Sequence, residues 1–77
     1  MTPKFEIDEN VIITDFVDDE YVYITDFVEQ IIINRYGIEY IFKNVSRPVS
    51  HKRVFAYTFE KEKELLNKGY KKVYNLI

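Results

Sequence analysis

His51 is the only histidine in the chain, and with Ser46 and Ser50 nearby it offers the one set from which nucleophilic catalysis could be assembled. A serine nucleophile needs a base within hydrogen-bond reach, a group that orients the base, and an oxyanion hole. Ser50 and His51 are chain neighbours in a segment without glycine, so nothing there exposes or activates a hydroxyl. The carboxylates Asp18-Asp19-Glu20 are the next candidates, as an acid/base pair or a cation loop. Three consecutive acids read as a solvated turn, and they lack the Asp-x-Asp-x-Asp-Gly spacing of a calcium loop. With one histidine and no cysteine, a zinc site of His and Cys ligands cannot form. No glycine-rich phosphate cradle is present. The expectation is a chain with no catalytic residues, no metal ligands and no cofactor.

Binding chemistry is better represented. Residues 1–30 carry nine acids against Lys4 alone, whereas residues 31–77 carry ten Lys and Arg against four Glu; the net charge is −2. A domain built this way can present an acidic and a basic pole, a field suited to steering a macromolecular partner. Asp15, Asp18, Asp19, Glu20 and Asp26 form the expected acidic contact face, with Phe16, Tyr21 and Phe27 as anchors. Carboxylates along an extended surface can stand in for phosphates in the basic groove of a nucleic-acid enzyme, so a protein is the first expected partner. Nucleic acid is the alternative: Arg47, Lys52, Arg53, Lys71 and Lys72 are interleaved with Phe55, Tyr57, Tyr70 and Tyr74. Lysines neutralise phosphates while aromatic faces stack bases. Opposite poles could also pair between copies, giving self-association.

The elements that position these residues are short. Seventy-seven residues make one domain with a single small core, and the 47% hydrophobic content with thirteen Phe and Tyr supports that core. The absence of cysteine points to a reducing, cytoplasmic setting. The N-terminus has no apolar signal-peptide region and no run is long enough to span a bilayer, so no membrane role is expected.

Val11–Thr14 and Tyr21–Thr25 read as strands separated by the acidic loop. Val28–Ile33 reads as a third, and its Ile31-Ile32-Ile33 triplet predicts a strand covered on both sides. Gly37 supplies a turn into Ile38–Lys43, which completes a hairpin. Asn44–His51 reads as a loop around Arg47-Pro48, and Lys52–Phe59 as a further strand. Glu60–Lys68 is the one helix candidate, stopped by Gly69 and too short to persist without docking Leu65 and Leu66. Tyr70–Ile77 reads as a closing strand. Ile13-Thr14-Asp15-Phe16-Val17 recurs as Ile24-Thr25-Asp26-Phe27-Val28. Two copies cannot stack a solenoid, so the repeat reads as similar patterning of two strands.

Phe5-Glu6-Ile7-Asp8-Glu9-Asn10-Val11-Ile12-Ile13 resembles the F-x-I-G-D-x-V-x-V opening of small SH3-like or KOW-like barrels, frequent in Gram-positive bacteria and their phages. Gly37-Ile38-Glu39-Tyr40-Ile41-Phe42 is similar to their central G-x-x-Y-x-V strand. Ala56–Leu65 is similar to their late strand that runs into an E-x-E-L helical turn. Asp8 stands where the family has glycine. The resemblance implies a mainly β fold, an SH3-like barrel of about five strands with one short C-terminal helix. The alternative is an α+β meander sheet with one helix. Such barrels host many unrelated roles, so the expected function rests on the acidic face: a non-enzymatic protein-binding module, such as a phage or mobile-element factor that modulates a host nucleic-acid enzyme.

Overall fold

In a computed structural model, which describes residues 2–75, the β-branched and aromatic runs form six strands. These are β1 (Asn10–Val17), β2 (Glu20–Asn34), β3 (Gly37–Phe42), β4 (Val49–Ser50), β5 (Val54–Ala56) and β6 (Lys71–Lys72), with one helix, α1 (Phe59–Asn67), before the last strand. The strand order is β4-β3-β2-β1-β5, all antiparallel, and β6 lies parallel beside β2. β4 and β5 are joined by a single 3-10 turn, His51–Arg53, and do not pair, so the sheet is open. The fold is mainly β.

Several expectations change. The runs Tyr21–Thr25 and Val28–Ile33 are one 15-residue strand, because no glycine or proline separates them; a register shift between Val28 and Gln30 replaces the expected break. The expected loop Asn44–His51 contains β4, and the expected strand Lys52–Phe59 shrinks to β5. Its first residues turn because the Ser50 hydroxyl accepts the Lys52 N–H. Its last residue enters α1, where the Thr58 hydroxyl accepts the Lys61 N–H at 3.0 Å as an N-cap. The closing strand is the two-residue β6; Leu76 and Ile77, assigned to it from sequence, lie outside the described residues.

The helix stop is as expected. Gly69 takes φ +94°, and the N–H groups of Gly69 and Tyr70 return to the carbonyls of Leu66 and Leu65 at 3.1 and 2.9 Å. Leu65 is buried, but Leu66 is half exposed and does not dock.

Alternation along β1 and β2 divides the core. Val11, Ile13, Ile24 and Val28 face a cluster with Phe5, Ile38, Tyr40, Phe42, Val45, Val49 and Val54. Ile12 and Tyr23 point to the opposite face, where α1 covers them with Leu65. Ile31 and Ile32 are only partly buried and Ile33 is 55% exposed, so the triplet is not enclosed on both sides. The chain that would cover it returns elsewhere.

Candidate functional site

The β1–β2 hairpin closes through Asp18 and Asp19, both in the left-handed region at φ +51° and +64°, with Val17 paired to Glu20. Two positive φ values define the turn that matches strand twist, normally supplied by Asn-Gly or Asp-Gly. Here both central residues are aspartates, and their carboxylates stand at the outer end of the hairpin with that of Glu20. All three are exposed, and among the described residues none has an ion-pair partner.

Directly behind the turn, Phe16 pairs with Tyr21 across the hairpin. Because Val17 and Glu20 form the hydrogen-bonded pair, Phe16 and Tyr21 are a non-hydrogen-bonded pair, whose side chains approach most closely. Their ring centroids are 4.8 Å apart and each residue is 55% exposed. Tyr70, just past the helix stop, lies 5.2 Å from Tyr21 and extends the row. Thr14, Asp15 and Arg53 complete the rim of a shallow hollow against these rings. The Phe16–Tyr21 pairing is legible from spacing once the turn is placed. Tyr70 was missed as part of this row, since only the docking of α1 brings it there.

Asp15 belongs to this region, but as a fastening. Its carboxylate accepts the Phe16 N–H at 2.7 Å and meets the Arg53 guanidinium at 3.1 Å. Arg53 Nε also donates to the Thr14 carbonyl at 2.9 Å. Asp26 leaves the expected acidic face. It is 1% exposed, and its carboxylate accepts the N–H of Phe27 (2.7 Å), the N–H of Asn44 (2.9 Å) and the Asn44 amide (3.1 Å). Side-chain alternation explains both: Asp15 and Asp26 lie on the inward face with Ile13 and Ile24, which pair with each other. The repeated pentapeptide therefore runs outward from one cross-strand pair in both directions. Each aspartate caps the next residue's N–H and takes hold of the adjoining loop.

The expected basic set is dispersed. Arg53 is committed to β1, and Arg47 is exposed on the loop before β4. Lys52 lies on the 3-10 turn beside His51 and Glu39. Lys71 borders a hollow with Asp18 and Glu20. Lys72 pairs with Glu62 at 3.0 Å. The two poles expected from sequence are thus interleaved, because β5 and β6 of the basic half pair with β1 and β2 of the acidic half.

Glu62 is the centre of the polar contacts under the helix. It accepts hydroxyls from buried Tyr23 at 2.9 Å and from Tyr57 at 3.1 Å, besides the Lys72 ammonium. The Lys72 and Tyr23 hydrogen bonds hold the Glu62 carboxyl below its ordinary range. Burial, then the bond to Glu62, pushes the Tyr23 phenol up to about 12.

Of the catalytic candidates, Ser50 is used as the cap of the 3-10 turn and His51 Nδ1 is buried without a hydrogen-bond partner. Ser46 is exposed beside Arg47. Among the described residues no three His, Asp or Glu side chains are grouped to hold a metal, and no helix is long and apolar enough to cross a membrane. Comparisons with protein-family models, with curated proteins and with solved structures give no match.

Proposed function

We propose that this chain is a non-enzymatic protein-binding domain whose contact surface is the outer end of the β1–β2 hairpin. The observation that carries the reading is the half-exposed Phe16–Tyr21 pair, its tilted rings 4.8 Å apart, next to three acids that have no ion-pair partner among the described residues. Aromatic side chains supply contact area at little entropic cost, and unpaired carboxylates select a basic counterpart. The occupant that fits is a Lys/Arg-rich protein surface such as the groove of a nucleic-acid enzyme, with Asp18, Asp19 and Glu20 standing where phosphates would. Asp15 and Asp26 hold the hairpin in shape and make no contact.

The fold assignment belongs to the same reading. An SH3-like barrel is supported by the strand order, by the 3-10 link between the two edge strands, and by β2 serving both halves of the sheet.

The test is a fluorescence-anisotropy titration of the full chain with labelled Lys/Arg-rich peptides and, separately, with single-stranded DNA and RNA. The reading expects salt-sensitive binding to the basic peptides, weakened at least tenfold in the Asp18→Asn/Asp19→Asn/Glu20→Gln variant and in Phe16→Ala. Unchanged affinity of the neutralised variant at low salt overturns it. Tighter, salt-dependent binding to nucleic acid than to the peptides transfers the function to the basic residues.

A further inference from the structure

β2 is longer than the partner on its first edge. β1 pairs with it only as far as Phe27, and Asp8 and Glu9 continue the bonding to Val28: Val28 N–H donates to the Glu9 carbonyl at 3.1 Å and Asp8 N–H to the Val28 carbonyl at 2.7 Å. Beyond that point, Glu29–Asn34 is paired on the β3 side alone. Asn34 and Gly37 flank the two-residue turn Arg35-Tyr36 and form its hydrogen-bonded pair, so Ile32 and Gln30 also direct their N–H and C=O groups to β3. Those of Ile31 and Ile33 point the other way. Among the described residues no backbone group meets them there.

An open edge bearing isoleucines is a template for another strand. The sequence on this edge names the strand. Glu29-Gln30-Ile31-Ile32-Ile33-Asn34-Arg35 is chemically palindromic: acid, amide, three isoleucines, amide, base. Laid antiparallel against itself about Ile32, it sets Glu29 opposite Arg35, Gln30 opposite Asn34, and Ile31 opposite Ile33. The hydrogen-bonding parity agrees with that register. Ile31 and Ile33 carry the outward groups and would form the hydrogen-bonded pairs, while Ile32 meets its own copy in a non-hydrogen-bonded pair. A register displaced by one residue would face inward-directed groups with outward ones. Glu29 and Arg35 have no ion-pair partner within the described part of the chain.

We propose that Glu29–Arg35 is a homodimerisation edge, at which a second copy of this chain adds its own β2 antiparallel about a two-fold axis through Ile32. The dimer continues the sheet as β3-β2-β2-β3 and covers Ile33, which is 55% exposed in the single chain. It is isologous and closed, so it leaves no further edge of this kind to propagate. It leaves the Asp18-Asp19 turn of each copy at the opposite end of β2.

Sedimentation equilibrium of the full chain over a wide concentration range tests this. The wild type should show a monomer–dimer equilibrium, and Ile33→Pro should be monomeric, since proline removes an outward donor and no β3 bond. Glu29→Arg and Arg35→Glu should each weaken the dimer at least tenfold, because each places two pairs of like charges opposite one another. The double exchange should restore it, as should an equimolar mixture of the two single variants. Independently, the chain contains no cysteine. Ile32→Cys should therefore oxidise rapidly to a disulfide-linked dimer, because facing Cα atoms of such a pair stand about 4.5 Å apart. Exposed Tyr36→Cys should not. A wild type monomeric at every concentration overturns the proposal, as does a dimer indifferent to both the charge exchange and residue 33. Should Ile33→Pro fail to fold by circular dichroism, the charge exchange and the cysteine pair decide.

Discussion

The two hairpins share β2, yet one half of that strand is enclosed and the other stands open. From Val22 to Val28 the strand has β1 on one edge, β6 beside Val22 and Tyr23 on the other, and α1 across one face. From Glu29 to Asn34 it has β3 on one edge and, among the described residues, no strand on the other. The turns differ too: Asp18-Asp19 adopts two positive φ values without glycine, whereas Arg35-Tyr36 is followed by Gly37 at φ +141°. The more continuously apolar stretch, Ile31-Ile32-Ile33, is the less covered. Burial along β2 is decided by which segments of residues 51–75 return to it, and they return to the first half.

The junction of the two halves is where that comparison breaks most easily. Asp26 ties β2 to Asn44, at the exit of β3, through two hydrogen bonds and accepts a third from the Phe27 N–H, in a site almost closed to water. Asp26→Ala should cost about 2–4 kcal/mol, since bonds to a carboxylate are stronger than neutral ones and the vacated site is buried. Urea unfolding checks it. Its counterpart Asp15 has a side chain 32% exposed and an ion pair with an exposed arginine. Asp15→Ala should cost about 0.5–1 kcal/mol, the range of surface pairs. Equal losses at the two positions would mean that the repeated pentapeptide, rather than its surroundings, fixes the role of its aspartate.

Glu62 gives an intermediate case and acts on the enclosed half alone. Its side chain is 15% exposed and receives Tyr23, Tyr57 and Lys72. Glu62→Gln should destabilise by about 1–2 kcal/mol and loosen α1 and β6. Hydrogen exchange should rise at Val22 and Tyr23 while the β2–β3 ladder is unchanged. The pH dependence has two sides. The folded carboxyl titrates below its unfolded value, so its contribution is complete above the unfolded value and is lost as pH falls through the folded one. Tyr23 is the reverse: with the phenol pushed up from 10.0 to about 12, its contribution is complete below 10.0 and disappears as pH rises through about 12. Tyr23→Phe should flatten the alkaline limb of a thermal-melt pH profile and shrink the acid limb without abolishing it, because the Lys72 bond still lowers the Glu62 carboxyl.

Much of this was legible in the residues. β-branched runs gave β3 to within a residue at each end and the start of β1, which runs on past the expected Thr14 to Val17, and Gly69 marked the helix end, because strand and cap preferences act locally. The Phe16–Tyr21 pair follows from alternation on either side of an acidic turn. Three things were not legible, each because it depends on distant pairing. β2 looked like two strands, since neither a bulge nor a long strand has a sequence marker here. Asp26 looked like a surface acid, since its inward direction depends on the register with β1 and its satisfaction on Asn44. The charge poles looked separate, since sequence order cannot reveal that β5 returns to pair with β1 and β6 with β2.

The smallest effect expected on stability is the sharpest test of what the outer hairpin is for. Left-handed backbone is costly for residues with a Cβ, and this turn type is best served by Asn followed by Gly. Asp18→Asn with Asp19→Gly should therefore stabilise the fold, by about 0.5 kcal/mol, while removing two of the three unpaired carboxylates. Strained conformations persist where something other than stability selects them. The variant should accordingly melt slightly higher than the wild type and bind basic peptides at least tenfold more weakly. The same exchange at Arg35-Tyr36, whose φ values are not positive, should yield no such gain. A lower melting temperature for the first exchange would show that the aspartates serve the turn itself. The contrast between an outer hairpin retained for its charge and an inner one retained for its edge would then dissolve.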